Sequence, residues 1–217
     1  MLAGGSAGTK YSFFAGGFNG NNSVSNIVEA YDSSLGKTLC TALINKTYDM
    51  AGGSIGNYAV FAGGVGSYFV SSDVVYSTVY SYNTSRTQGT PTTLSEARYG
   101  ARAASNGTYL LVAGGRSSGA NVTDTVDAYS TTLSRTTPTV LTTTRVGAGV
   151  AAAGKYIIVT GGGSNLVDVY NANKTHSVST SYGHTTSQYL AGASAGNYGL
   201  VAGGGSSITV FNNSGTY

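Results

Sequence analysis

The chain has 217 residues, with 33 glycines, 17 tyrosines and no tryptophan, and only 9% of its residues are charged, for a net charge of +3. Charge this sparse and scattered lacks the clustered Lys and Arg side chains that neutralise phosphates, so we expect no nucleic-acid partner. No stretch approaches the about 18 apolar residues of a membrane-spanning helix, so we also expect no membrane insertion.

One phrase occurs five times along the chain: an aromatic residue, a short apolar run, a small residue and a glycine pair. The copies begin at Tyr11, Tyr58, Tyr109, Tyr156 and Tyr198, at spacings of 47, 51, 47 and 42 residues. A period of this length is typical of the four-stranded sheet that forms one blade of a β-propeller. The sequence therefore predicts one domain, with blades spanning approximately residues 1–47, 48–95, 96–143, 144–187 and 188–217.

Four strands, a to d, are predicted in each unit. Strand a is a stretch of small residues, such as 147–153, which suits an innermost strand because large side chains would clash across a central axis. Strand b is the apolar run that ends in Gly-Gly, as expected for a strand buried on both faces. Strand c alternates and ends in Tyr or Phe, as in 27–31. Strand d is polar and Thr-rich, and Pro91 and Pro138 fall in it, which favours an outer edge strand.

The glycine pair of strand b and the aromatic residue of strand c resemble the kelch repeat, and the resemblance covers essentially the whole chain. Kelch repeats usually also carry a Trp after that aromatic residue, and this chain has none. The resemblance implies an all-β, kelch-like β-propeller of about five four-stranded blades. The Gly/Ser/Thr/Tyr-rich texture is similar to that of kelch-like repeats in bacterial surface and phage tail proteins. This similarity implies a virion tail, cell-surface or extracellular location, although we see no signal peptide.

The last predicted blade is incomplete, because the chain reaches Tyr217 near the end of its strand c. Three explanations stay open: the blade has three strands, the chain is a fragment of a longer protein, or another chain supplies the strand. An open strand edge invites pairing with a partner, so assembly through this edge is one predicted interaction.

The residues that carry chemistry do not form a recognisable catalytic set. Galactose oxidase is a kelch propeller with a copper site of His, Tyr and a Tyr–Cys cross-link, but here Cys40 is predicted in the first unit, whereas His176 and His184 lie in the fourth. The carboxylates Glu29, Asp127 and Asp168 recur at matching places in strand c, which indicates repeat structure and not a catalytic pair. Sialidase-type Asp boxes require a Trp. We therefore expect no enzyme, cofactor or metal.

The b–c loops and d–a connections are predicted to lie on one face, where variable loops on a rigid scaffold often bind ligands. The candidates combine aromatic rings, which stack on sugar rings, with polar groups that hydrogen-bond to hydroxyls. They are Phe18, Asn19, Asn22, Tyr48, Tyr68, Phe69, Asp73, Arg98, Tyr99, Arg116, Arg145 and Tyr189. Because Arg98 and Arg145 occupy equivalent repeat positions, a structural role is an alternative for both.

The functional prediction is a non-enzymatic binding or adhesion module that presents one face to a glycan or protein receptor, in a phage tail or on a bacterial surface. The alternative is a structural or scaffold protein that assembles through its propeller edge. A third reading is a copper enzyme similar to galactose oxidase.

Overall fold

The computed structural model describes residues 2–18, 23–66, 74–179, 188–204 and 208–214. In these ranges it has 19 β-strands and one short 3-10 turn at Ser118–Ala120. The strands are β1 (Ala3–Ala7), β2 (Tyr11–Ala15), β3 (Val28–Asp32), β4 (Lys37–Leu39), β5 (Ala51–Ile55), β6 (Tyr58–Ala62), β7 (Val79–Asn83), β8 (Gln88–Gly89), β9 (Arg102–Ser105), β10 (Tyr109–Ala113), β11 (Val126–Ser130), β12 (Arg135–Thr136), β13 (Gly149–Ala153), β14 (Tyr156–Thr160), β15 (Val167–Tyr170), β16 (His176–Ser179), β17 (Ala191–Ala195), β18 (Tyr198–Ala202) and β19 (Ile208–Phe211). The predicted all-β class is confirmed. Within the described ranges, no helix has the length and apolar character needed to span a membrane.

The strands form five antiparallel sheets, each made from strands that follow one another in the chain. Sheets 1 to 4 contain β1–β4, β5–β8, β9–β12 and β13–β16, and sheet 5 contains β17–β19 in the described part of the chain. Each sheet falls within one of the five predicted units, and strands a to d are neighbours in that order. The first two strands of each sheet are joined by a short turn, as at 154–155, whereas the second and third strands are joined by a longer loop in sheets 1 to 3, as at 114–125.

The sheets pack face against face in chain order. We call the face of a sheet that points to the next sheet its front face, and the opposite face its back face. In sheet 1 the front face carries Phe13 and Val28, which are buried in one cluster with Phe61 and Tyr82 from the back face of sheet 2. The same arrangement joins sheets 2 and 3, sheets 3 and 4, and sheets 4 and 5. Burying each such side chain contributes about 1.5–3 kcal/mol, so these interfaces are the core of the molecule.

The first strands of the sheets (β1, β5, β9, β13 and β17) are neighbours in that order and approach each other closely. A Cβ atom added at Gly52 would collide with the backbone oxygen of Gly4, and one at Gly192 would collide with that of Val150. Side-chain hydroxyls also bridge these strands, because the Ser6 N–H donates to Ser54 Oγ at 2.7 Å. The small residues of strand a are therefore needed for close packing between neighbouring first strands, whereas the sequence argument concerned a clash across a central axis.

Candidate binding site

An open cavity of about 370 Å³ lies between the starts of the five first strands. Its lining residues come from all five sheets: Leu2, Ala3, Gly4, Asp49, Met50, Gly52, Arg102, Ala103, Ala148, Val150, Leu190, Ala191 and Gly192. This volume is within the range of small-molecule sites, roughly 300–1,000 Å³. We call this space the mouth cavity, because it opens on the side where the d–a connections enter the first strands.

One ion pair lines the mouth cavity. The Arg102 Nη1 atom lies 3.3 Å from Asp49 Oδ1, and the Asp49 side chain is 7% exposed against 24% for Arg102. Arg102 Nη1 also donates to its neighbour's backbone oxygen, that of Ala101, at 3.0 Å. In the other four sheets the position of Arg102 holds alanine or glycine: Ala3, Ala51, Gly149 and Ala191. The charged pair thus departs from the repeat at a cavity whose other lining residues are uncharged.

The residue two positions before the first residue of β5, β9, β13 and β17 adopts a left-handed backbone. Gly100 and Gly147 hold this position with φ of 67° and 60°, whereas Asp49 and Tyr189 adopt φ of 53° and 61°. Non-glycine residues in this region cost of order 1 kcal/mol or more, so both positions are strained. The conformation lets the backbone bonds run around the mouth: Gly100 N–H donates to Asp49 O, and Gly147 N–H to Gly100 O. The last bond of the series joins Leu190 N–H to Gly147 O at 3.0 Å.

Aromatic residues from the predicted loops directly precede two of the residues that line this mouth: Tyr48 precedes Asp49, and Tyr189 precedes Leu190. The rings of Phe18 and Tyr48 are 5.7 Å apart between centroids. Tyr48 forms an antiparallel bridge with Val65, and Tyr99 forms the equivalent bridge with Arg116, so each d–a connection lies beside the b–c loop of the next sheet. The structure therefore brings these two kinds of loop together. Tyr189, which precedes sheet 5, is 60% exposed.

Arg98 and Arg145 do not belong to this surface. Both side chains are 0% exposed, and each pairs with a strand-c aspartate of the following sheet: Arg98 with Asp127 at 2.8 Å, and Arg145 with Asp168. They also donate to backbone oxygens at the end of strand b, as Arg145 Nη1 does to Gly161 O at 2.8 Å. Burial this complete rules out direct contact with a receptor in this conformation, so the structural alternative is the one that the geometry supports. Asp127 and Asp168, expected from their recurrence to be structural, are the partners.

Hydrogen bonding keeps Asp168 ionised despite its burial. Burial by itself raises the pKa of Asp168, but donation from the Thr142 hydroxyl and backbone N–H, the Arg145 charge and the contact with His176 outweigh that effect and lower the pKa below its ordinary value. His176 Nε2 lies 2.8 Å from Asp168 Oδ1. His176 is thus a partner in this structural cluster. Cys40 directly follows β4 in sheet 1, and burial raises the pKa of its thiol.

The remaining predicted site residues cannot be placed. Asn19, Asn22, Tyr68, Phe69 and Asp73 lie outside the described residues, as does His184. In the described ranges, no three His, Cys, Asp or Glu side chains come together in a way that could hold a metal ion.

Sequence reasoning missed Arg102, the cavity's main cation. The available signal was a charged residue inside a strand that otherwise consists of small ones, 101–105.

Comparison with known proteins adds a structural likeness but no family. No protein-family model matches the sequence, and no curated protein matches it. Solved structures do match. One of them, described as "Structure of YjhT", aligns with a TM-score of 0.75 and 13% sequence identity, and the alignment covers 97% of this chain and 83% of that one. At this identity the likeness concerns the fold alone.

Proposed function

We propose that the five sheets form a kelch-like β-propeller and that the chain is a non-enzymatic binding module whose ligand lies over the mouth cavity. The packing of the sheets in chain order, with first strands of small residues lining one cavity, supports the propeller. The setting that we propose is receptor binding or adhesion, in a phage tail or on a bacterial surface.

The Asp49–Arg102 pair is the observation that carries the proposal. Arg102 is a partly exposed donor and Asp49 is an acceptor, and both lie in a cavity whose other lining residues are glycine, alanine and larger apolar residues. Tyr48 directly precedes Asp49 in the chain, and its ring lies 5.7 Å from that of Phe18, so we infer that this ring pair flanks the cavity. A saccharide offers the matching chemistry, because its hydroxyls both donate and accept while its ring faces stack on aromatic side chains. We therefore propose a glycan as the ligand.

A glycan array probed with the full chain tests this proposal. We expect binding to at least one glycan, and we expect Arg102→Gln to weaken it about tenfold or more, because a charge-assisted hydrogen bond contributes about 1.5–3 kcal/mol. Tyr48→Ala should weaken the same interaction through loss of stacking. Lys37→Gln is the matched control, since it removes a cation from the exposed outer strand β4 of sheet 1.

Two results would contradict the glycan proposal. One is the absence of binding to any glycan, with cell binding that free sugars do not inhibit, which would favour a protein receptor. The other is undiminished binding by a folded Arg102→Gln variant, with a melting temperature close to that of the unmodified chain.

A scaffold role is the second candidate, and the edge of sheet 5 favours it. In the described part of the chain, sheet 5 has three strands where the other sheets have four, and β19 is its outermost strand, so we infer that an added strand would pair there. Light scattering decides this point: an assembly that grows with concentration supports a scaffold, whereas a strict monomer at high concentration argues against one.

A further inference from the structure

The four sheet-to-sheet interfaces share one pattern, and sheets 1 and 5 each expose one half of it. The back face of a sheet carries the fourth residue of strand b. This residue is fully buried in the other four sheets, at Phe61, Val112, Val159 and Val201. In sheet 1 it is Phe14, which is 39% exposed. An open groove of about 420 Å³ runs along this face, lined by Leu2, Phe14, Gly16, Ser25, Ile27, Glu29 and Tyr31. The back face of sheet 1 thus has the residues that form an interface in the other sheets, but no sheet covers it.

The front face of sheet 5 shows the complementary exposure. The first residue of strand c is buried to within 1% in the other four sheets, at Val28, Val79, Val126 and Val167, whereas Ile208 is 64% exposed. Val210, two residues further along the same strand, is 46% exposed, although its counterpart Ala128 is 1% exposed. Exposed apolar surface of this regularity marks an interaction site, because soluble proteins rarely leave such faces open.

A tyrosine hydroxyl forms a hydrogen bond across three of these interfaces. Tyr82, Tyr129 and Tyr170, at the end of strand c, each donate to a backbone oxygen of the preceding sheet's last segment: that of Thr41 at 2.7 Å, Thr92 at 3.0 Å and Thr139 at 2.8 Å. The same position in sheet 1 is Tyr31, whose hydroxyl donates instead to Glu29 Oε2 at 2.9 Å. Tyr31 therefore satisfies its hydroxyl within its own strand.

The strand-c carboxylates form ion pairs across two of these interfaces. Asp127 and Asp168 receive Arg98 and Arg145 from the segment that follows the preceding sheet. Their counterpart in sheet 1, Glu29, pairs with the exposed Lys37 of its own sheet at 3.0 Å. The hydrogen bond from Lys37, followed by that from Tyr31, lowers the pKa of Glu29, so an anion is held on this open face. A partner that supplies an arginine at the position of Arg145 would match it.

We propose that one further antiparallel β-sheet unit of the same repeat chemistry packs between sheets 5 and 1. Its back face would cover Ile208 and Val210, its front face would cover Phe14, and its last segment would bring a backbone oxygen to Tyr31 and an arginine to Glu29. This inference rests on the repeated interface and not on the proposed ligand. The added unit needs two free faces, one for sheet 5 and one for sheet 1. A second copy of the chain does not offer such a sheet, because its sheets 2 to 4 have both faces covered and its sheets 1 and 5 have one free face each.

The two ends of the row of sheets face the same cavity. Leu2 to Gly4 of sheet 1 and Leu190 to Gly192 of sheet 5 line the same mouth cavity of about 370 Å³. A sheet inserted there would extend the existing series of first-strand neighbours, β1–β5–β9–β13–β17, from its last member back to its first.

A fused sixth unit tests the inference on the full chain. A copy of residues 99–147 is placed directly before Leu2, so that the copied Gly147 precedes Leu2 as it precedes Ala148 in the natural connection. We expect a monomer by light scattering, a melting temperature higher by about 5 °C or more, and less than half the fluorescence of an apolar-surface dye per molecule. In the fused chain, Glu29→Gln and Arg145→Ala in the added copy should show coupled effects on the melting temperature.

The control replaces the copied Leu111 and Val126 with Ser, which removes the front face offered to Phe14 and should abolish the gain. The inference is overturned if the intact fused unit is digested by protease while the remaining chain resists, with no rise in melting temperature. It is equally overturned if the unmodified chain is a stable dimer in which hydrogen exchange protects β2, β3 and β19, since a second copy would then be the occupant.

Discussion

Replacing Arg145 with methionine should destabilise the protein more than any single surface substitution. The change keeps much of the side-chain volume but removes the cation that pairs with Asp168, and both groups are 0% exposed. Removing one partner of a buried pair costs about 3–5 kcal/mol, because the remaining charge stays desolvated. The backbone oxygens of Gly161 and Leu166 also lose their donors, which lie at 2.8 and 2.9 Å. We therefore expect a loss near the upper end of that range.

The double variant Arg145→Met with Asp168→Asn separates charge from packing. Asparagine keeps an oxygen for the Thr142 hydroxyl but carries no charge, so the double variant should recover about 2 kcal/mol relative to Arg145→Met alone. Lys37→Met is the matched exposed case: it breaks a pair with Glu29 at a side chain that is 53% exposed, and it should cost less than about 1 kcal/mol.

Urea unfolding, monitored by circular dichroism, measures these differences in the free energy of unfolding. They appear as shifts of the transition midpoint at a constant slope of free energy against urea concentration. Two outcomes would refute the reasoning. A loss below about 1 kcal/mol for Arg145→Met would mean that the buried pair is not the stabilising contact between sheets 3 and 4. A double variant no more stable than Arg145→Met would mean that packing, and not the unpaired charge, sets the cost.

Three further results are expected. Because the pKa of Asp168 is lowered in the folded state, its stabilisation is present above the ordinary carboxyl pKa of about 3.9 and is lost as the pH falls through the lower folded value; Asp168→Asn should flatten this part of an acid unfolding curve. Thr160→Ala should be neutral or stabilising by up to about 1 kcal/mol in thermal unfolding, because the Thr160 hydroxyl is buried without a partner, whereas the reverse change Ala113→Thr at the equivalent position should destabilise. Tyr82→Phe should cost about 1 kcal/mol through the lost bond to Thr41 O, and Tyr31→Phe measurably less because Tyr31 is partly exposed; equal losses would contradict this difference.

The strands were predictable from the sequence because their signals are local. The apolar run and glycine pair of strand b, as in 58–64, and the alternating strand c, as in 78–82, repeat often enough to fix the unit and the strand order. The all-β class follows directly from these patterns. The propeller and the kelch relationship remain proposals that rest on packing and on the repeat.

Site residues were harder to predict because their roles depend on the neighbouring sheet. From its sequence surroundings Arg98 is predicted to be a loop cation, because nothing local shows that it pairs with Asp127 of the next sheet. Phe14 and Phe61 have similar sequence surroundings, yet Phe14 is exposed and Phe61 is buried, since a sheet packs against the back face of sheet 2 but not against that of sheet 1. Arg102 was missed because strand a was read for its overall small size and not residue by residue.

The belt of peptide groups around the mouth, from Asp49 through Gly100 and Gly147 to Leu190, has a consequence for variation. These bonds are made by peptide groups, so we expect the aperture to keep its shape when side chains change at positions other than the left-handed glycines Gly100 and Gly147. On the proposal that a ligand binds at this opening, substitutions at positions such as Tyr48 and Tyr99 would change its specificity while the backbone hydrogen bonds stay in place.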